Sequence, residues 1–325
     1  EHHFRTDDKS EHAVLFLALN SDHINGAVHR LPSEFFADRY VISQWFWELE
    51  KPAPWFAEAF SVVDEIWAPT RFIESMLRSC APEGVKVVYM PPAIQAPAVD
   101  PSTTPAMFGL DDRFMFLFSF DFMSIAKRKN PWGLVEAFAR AFRPGEGPQL
   151  VIKSINGEKR PEDFDRLTAA IGDRSDITLM TEYLTRIEAS TLTSLADCYV
   201  SLHRSEGLGL TITEAISLGI PTIATGYSGN LDFMDEWSTW RVPVRMTKVG
   251  AGAGGYDPRA VWAGPDLDVA ARMMREVWAD PASARAKAAI ARDRLLKDFS
   301  VDASGTRMRN RLQAIWSELK VQGGN

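Results

Sequence analysis

Continuous apolar runs alternate with helix-patterned stretches along most of the chain. Residues 13–19 are apolar throughout and end in Asn20-Ser21-Asp22-His23. Such runs suit strands buried on both faces of a parallel sheet. The same pattern predicts strands over 40–47, 65–69 and 85–90, with helices through 55–60 and over 71–78. Thr70 stands just before the second helix, where its hydroxyl can accept an unpaired N–H of the first turn.

The pattern then stops. Pro91, Pro92, Pro97, Pro101 and Pro105 punctuate a segment that also holds Ser102, Thr103 and Thr104, a linker stiffened by proline. Beyond it the alternation resumes. Strands are predicted over 114–122, 149–155, 177–180, 198–202 and 221–225, the last clear strand, with helices over 131–142, 163–171, 190–196 and 211–218. A glycine-rich loop at 250–255 and helices over 266–279, 281–298 and 303–320 complete the chain. Alternation on both sides of a linker predicts two doubly wound α/β domains in tandem. Their expected limits are 1–91 and 109–300, with the linker over 92–108 and a C-terminal helix, 301–325, crossing back to the first domain.

Composition narrows the class. The 325 residues, 46% apolar and 24% charged, fit a soluble globular protein of roughly two domains. A formal charge of −7 leaves no generally basic surface for nucleic acid. The acid excess is local: residues 1–105 carry 8 Lys and Arg against 15 Asp and Glu, and the remainder carries 28 of each. No run approaches the roughly 20 apolar residues that span a bilayer. The start, Glu1-His2-His3-Phe4-Arg5, lacks the apolar core of a signal peptide. Cys80 and Cys198 fall in different predicted domains, which argues against a disulfide framework and for a reducing, cytoplasmic setting.

The chemistry concentrates in Ser205-Glu206-Gly207-Leu208-Gly209-Leu210-Thr211-Ile212-Thr213-Glu214, between a predicted strand and a predicted helix. Gly207 and Gly209 let the backbone turn tightly and approach a ligand. The helix start behind them offers unpaired N–H groups and a positive dipole end, a seat for a diphosphate. Glu206 and Glu214 flank that seat and can accept hydroxyls on both sides of it, the layout of a nucleotide-sugar. Lys127-Arg128-Lys129-Asn130 follows the first strand of the same domain. In a doubly wound sheet, loops at the carboxyl ends of strands meet in one crevice, so a lysine there can face the helix start across a diphosphate. The plainer readings are a glycine-rich turn with a capping carboxylate and a solvated basic cluster.

The spacing of Glu206 and Glu214, with Lys129-Asn130-Pro131 and Glu136-Ala137-Phe138, resembles the signature of family 4 (GT4) retaining glycosyltransferases of the GT-B fold. Ala196-Asp197 and Gly219-Ile220-Pro221-Thr222-Ile223-Ala224 are similar to the family's flanking strands. Tyr227-Ser228-Gly229-Asn230, Trp262, Pro265-Asp266 and Trp45-Phe46-Trp47-Glu48-Leu49-Glu50 resemble a bacterial subgroup that builds surface polysaccharides, many of whose members are mannosyltransferases.

The resemblance implies two Rossmann-like domains facing a cleft. It implies transfer of a hexose, mannose by expectation, from a GDP- or UDP-linked donor to a saccharide or lipid-linked saccharide, with no metal and no cofactor beyond the substrate. Glu206 would touch donor-sugar hydroxyls, Glu214 the ribose, and Lys129, helped by Arg128, the diphosphate. Backbone N–H groups at Leu208, Gly209 and Leu210 would hold the distal phosphate and sugar. Lys153, Tyr183 and Asn230 are further donor-side candidates, Asn230 also as a helix cap. Asn20, Asp22, His23 and Glu48 are acceptor- or sugar-side candidates, with a helix cap at Ser21 or Asp22 as the plainer reading. His203 and Arg204 stand just before the motif. Asp163-Phe164-Asp165 and Asp266-Leu267-Asp268 resemble metal-binding Asp-x-Asp only superficially and read as helix-start acids. A lipid-linked acceptor would bring the chain to the inner membrane face as a peripheral protein.

Two departures stand out. Phe122-Met123-Ser124 occupies the place where the family usually carries an arginine, so Arg128 is the expected substitute. The N-terminal region resembles only the second part of an acceptor domain, which reads as a two-domain enzyme with a piece absent, by truncation or reduction. Two other activities fit the same fold: a nucleotide-sugar-binding module serving another transferase, and a sugar-nucleotide epimerase.

Overall fold

The computed structural model describes residues 13–32 and 35–322. The initial Glu1-His2-His3-Phe4-Arg5 lies outside the described residues. The chain forms two compact units, residues 1–92 and 93–325.

In the first unit four parallel strands lie in sequence order: β1 (Val14–Leu17), β2 (Tyr40–Gln44), β3 (Glu65–Ala68) and β4 (Lys86–Tyr89). Helices α1 (Ser21–Val28), α2 (Phe56–Ala59) and α3 (Arg71–Arg78) connect them. Thr70 caps α3 as its position predicts, its Oγ1 accepting from the Ile73 N–H at 3.3 Å. The strand expected over 40–47 ends at Gln44 because Trp45 turns inward. Its ring is fully buried 5.5 Å from Phe56 and 5.2 Å from Phe60, and its indole N–H donates to the Ser43 hydroxyl. The helix expected over 55–60 shortens to α2 and tightens into a 3-10 turn, Phe60–Val62, which seats both rings.

The second unit is built on a six-stranded parallel sheet. Its strands are β5 (Met115–Asp121), β6 (Gln149–Ile155), β7 (Ile177–Met180), β8 (Cys198–Ser201), β9 (Thr222–Thr225) and β10 (Trp240–Val242). They lie in the order β10-β9-β8-β5-β6-β7. The chain builds outward from β5 to β7, then returns to the other side of β5 and builds outward again. That reversal is the topological switch point of a doubly wound fold, where a crevice opens beyond the carboxyl ends of β5 and β8. The inner strands β5, β6, β8 and β9 are buried almost throughout, which explains their continuous apolar runs. Phe116 and Phe118 on β5 pack against Phe138, Phe142 and Tyr199 to fill the core.

Helices α4 (Ala126–Lys129), α5 (Pro131–Ala141), α6 (Pro161–Ile171), α7 (Arg186–Leu195) and α8 (Leu210–Ser217) connect these strands. The C-terminal part adds α9 (Leu267–Ala279), α10 (Pro281–Asp298) and α11 (Val301–Gln322). Three expectations need correction. Residues 127–130 are not an open loop: the basic triplet lies on α4, a single turn bounded by the positive φ of Ile125 (63°) and Asn130 (56°). The helix expected from 190 starts at Arg186, because Thr185 and Glu188 form a capping box one turn earlier. The strand 221–225 is not the last. β10 extends the sheet, and β11 (Val244–Lys248) pairs antiparallel with β12 (Val261–Pro265) to form a hairpin around the glycine-rich loop. β10 is three residues long and β11 is largely exposed, so neither shows the buried apolar run that marks the others.

Candidate functional site

Lys129 ends α4, which follows β5 after a 3-10 turn; Glu206 follows β8. These are the two strands of the switch point, and their side chains meet there. Lys129 Nζ lies 2.5 Å from Glu206 Oε1, and Arg128 Nη1 lies 3.0 Å from Oε2. Arg128 also donates to the Ser205 carbonyl at 2.9 Å. Glu206 is 8% exposed and Arg128 5%, so the charges meet with little water between them. Burial opposes ionisation of Glu206, but Arg128 and Lys129 outweigh it and hold the carboxyl down at about 2. At neutral pH the cluster carries one anion and two cations, a net positive centre.

The backbone fixes this meeting. The Arg204 N–H donates to the Arg128 carbonyl at 2.7 Å, the Ala263 N–H to the Arg204 carbonyl at 2.9 Å, and the Gly229 N–H to the Glu206 carbonyl at 2.9 Å. The Glu206 N–H donates to the Ser228 hydroxyl at 2.8 Å. Ser228 holds a φ of 75° and Gly229 has no room for a side chain, because a Cβ there would collide with the Gly207 carbonyl. Behind the loop, His203 is fully buried, with Nδ1 3.0 Å from the Ser201 hydroxyl and Nε2 3.1 Å from Asn230 Oδ1. Burial pushes its pKa down to about 4, although the Glu206 carboxylate pulls the other way. His203 is therefore neutral across the physiological range.

Gly209, at a φ of 86°, is the N-cap of α8. A helix leaves its first N–H groups without intrahelical acceptors, and here these belong to Leu210 and Thr211. Leu208 is buried and the Leu210 side chain is 65% exposed. Glu214 stands one turn further along the helix, half-buried; burial raises its pKa, opposed by the Arg186 charge.

The other sequence candidates divide. Asn230 does not cap a helix. It lies in the 3-10 turn Gly229–Asp232 with its side chain fully buried, its amide donating to the Thr225 carbonyl and its oxygen facing His203. Lys153 is inside β6 rather than at its end, buried, with Nζ donating to the Ser154 carbonyl at 3.0 Å; burial lowers its pKa. Tyr183 is 67% exposed and donates to Asn156 Oδ1 at 2.6 Å, while the Asn156 amide reaches Asp121 at the end of β5. In the first unit, Asn20 accepts the Phe46 N–H at 2.8 Å and so ties the exit of β1 to that of β2. Asp22 and His23 are exposed on the first turn of α1, and Glu48 is half-buried beyond β2. Asp266 caps α9, accepting from the Asp268 and Val269 N–H groups. Among the described residues, no three His, Cys, Asp or Glu side chains gather as a metal site, and no helix is long and apolar enough to cross a membrane. Cys80 and Cys198 are both free thiols.

Sequence reasoning missed Arg186 and the role of Ser228. Arg186 stands far from the motif in sequence, and the φ of Ser228 has no signature in composition.

The model of the family described as "Family 4 Glycosyltransferase in conflict systems" matches residues 71–308. The chain belongs to this family. As a GT4 glycosyltransferase it also has the GT-B fold. Sucrose-phosphate synthase (tll1590) from Thermosynechococcus elongatus matches at a TM-score of 0.71 and 16% identity, over 95% of this chain and 75% of that one. Anabaena Alr3699/HepE in complex with UDP-glucose matches at 0.69 and 14% identity, over 93% and 79%. A curated relative, alpha-D-kanosaminyltransferase of Streptomyces kanamyceticus, is 30% identical over 132 residues, 41% of this chain. This GT4 chain spans 33% of that relative's length in the match.

Proposed function

We propose that the protein transfers a hexose, with retention of configuration, from a nucleoside-diphosphate sugar to a hydroxyl of a saccharide or lipid-linked saccharide. The observation that carries this reading is the cluster of Lys129, Arg128 and Glu206 at the switch point, beside the start of α8. Two cations converge where a diphosphate would leave, and charge opposite a departing phosphate lowers the barrier to transfer. In this reading Lys129 and Arg128 take the diphosphate, Glu206 a donor-sugar hydroxyl, and Glu214 the ribose. The N–H groups at the start of α8 hold phosphate oxygens. No metal is required, because side chains and the helix start supply the positive charge.

Mannose from GDP-mannose is our first donor, on the resemblance of Tyr227-Ser228-Gly229-Asn230 and its neighbours to mannosyltransferases of polysaccharide synthesis. UDP-glucose is the comparison donor, since the HepE structure holds it. The two free cysteines favour a cytoplasmic site of action.

The test is release of nucleoside diphosphate from a panel of GDP- and UDP-sugars with saccharide acceptors, with the product anomer read by NMR. Glu206→Gln and Lys129→Met should each lower turnover by about 100-fold or more. Nucleotide binding without turnover by the wild-type chain would replace the proposal with a binding module. An epimerised sugar without acceptor would replace it with an epimerase, and an inverted product would overturn retention.

A further inference from the structure

On the other side of α4 from the Glu206 cluster lies a second concentration of positive charge. Lys127 and Lys129 are two residues apart on one helical turn, about 200° around the axis, and their side chains go to different places. Lys129 reaches Glu206. Lys127 reaches the hairpin loop, donating to the Val249 and Ala251 carbonyls at 2.8 and 2.9 Å.

Beside Lys127 is a cavity of about 200 Å³, walled by Trp132 on α5, Arg166 on α6, Arg204 after β8 and Gly264 on β12. The Arg166 guanidinium sits 4.0 Å from the centre of the Trp132 ring, and that of Arg204 5.8 Å from the Trp262 ring. Both arginines thus lie against aromatic faces. Glu136, the one acidic residue in the wall, pairs with Arg140.

Two further facts set this cavity apart. The Trp132 indole N–H and the Arg204 Nε are buried and have no hydrogen-bond partner. Buried donors left without an acceptor are costly, and native structures rarely leave them so without an ion or water to satisfy them. Burial and the nearby Arg166 charge together lower the pKa of Arg204, so two like charges are held close together. An anion would relieve both conditions at once.

We propose that this cavity is a second anion site, separate from the diphosphate seat, and that it takes the phosphate group of free phosphate or of a small phosphomonoester. A tetrahedral phosphate presents oxygens in enough directions to meet two guanidinium groups and an indole N–H. A carboxylate presents two in one plane. The cavity does not depend on the transferase reading, because the side chains of Trp132, Arg166 and Arg204 are not among those that meet at Glu206, although the Arg204 backbone braces that seat.

Isothermal titration of inorganic phosphate, glycerol 3-phosphate and acetate into the full chain tests it. Phosphate and its ester bind to wild type, and binding changes less than twofold in Lys129→Met. Arg166→Gln, on the exposed side of α6, and Trp132→Phe each weaken it at least tenfold. Equal affinity for phosphate and the ester identifies free phosphate as the ligand; tighter ester binding identifies the phosphomonoester. An unchanged unfolding midpoint in Arg166→Gln separates lost binding from lost structure, and that variant decides the question if Trp132→Phe does not fold. The proposal is overturned if no phosphate compound binds, if acetate binds as tightly, or if binding falls with Lys129→Met but not with Arg166→Gln.

Discussion

Neutral His203 should make the second unit sensitive to mild acid, and the size of the effect follows from its surroundings. The ring is fully buried between Ser201 and Asn230, and burial lowers its pKa from 6.5 to about 4. In the unfolded chain the imidazole takes up a proton near pH 6.5; in the folded chain it does not until about pH 4. The contribution of neutral His203 is therefore complete above pH 6.5 and is withdrawn as the pH falls toward 4. Each pH unit in that window removes up to 1.36 kcal/mol, about 3 kcal/mol in all. That is a large part of the 5–15 kcal/mol by which domains are stable. Urea unfolding of wild type and His203→Gln from pH 7.5 to 4 measures it. The glutamine variant should start lower but lose about 3 kcal/mol less across the window. His203 is the only histidine beyond residue 92, so its ring proton can be assigned by comparing the NMR spectra of the two proteins. A His203 signal that titrates near 6.5, or parallel stability curves, would refute the reasoning.

Other outcomes follow from the same geometry. Glu206→Gln leaves Arg128 buried without its carboxylate and should cost roughly 3 kcal/mol at pH 7. Because the Glu206 carboxyl is held at about 2, its stabilisation is full above the ordinary carboxylate range and fades as the pH falls toward 2. Acid-unfolding curves of the variant should accordingly be shallower there. Gly229→Ala forces a methyl against the Gly207 carbonyl and should destabilise by about 1–3 kcal/mol while lowering nucleotide affinity, read by thermal shift with GDP and UDP. Thr185→Ala removes the capping box of α7 and should cost about 1 kcal/mol in urea with nucleotide affinity unchanged. An equal loss of affinity would mean that α7 shapes the seat more directly than its cap suggests.

The inner strands of the second sheet were the most legible part of the chain. Residues 115–118 on β5 and 150–152 on β6 are continuous apolar runs, and burial on both faces writes that pattern into the sequence. The meeting of Lys129 with Glu206 was legible for a related reason: strand-helix alternation implies a switch point, and a switch point brings separate loops together. Three features carried no such trace. β10 and β11 are short or exposed, so nothing selects an apolar run. The turn at α4 depends on left-handed backbone at Ile125 and Asn130, and isoleucine gives no warning of it. Asn230 sits in a turn that suggests a cap, yet its side chain is used inward, the oxygen facing His203 and the amide N–H donating to the Thr225 carbonyl. Side chains with two or more polar atoms can serve local or tertiary partners, and spacing along the chain does not distinguish the two.

The backbone bonds joining Arg204 to Arg128 and to Ala263 make that part of the frame indifferent to side-chain identity, whereas the Gly229–Glu206 bond requires glycine, because a Cβ there meets the Gly207 carbonyl. At 204 and 263 any residue but proline supplies the same N–H. These struts space the two charged loops alongside the Arg128 and Lys129 bonds to Glu206, so substitution at 204 or 263 can retune the pocket without respacing it. Proline at 204 or 263 is the exception, since it would delete a strut whatever side chains surround it. A scaffold of this kind separates the spacing of the seat from the chemistry of the side chains that line it.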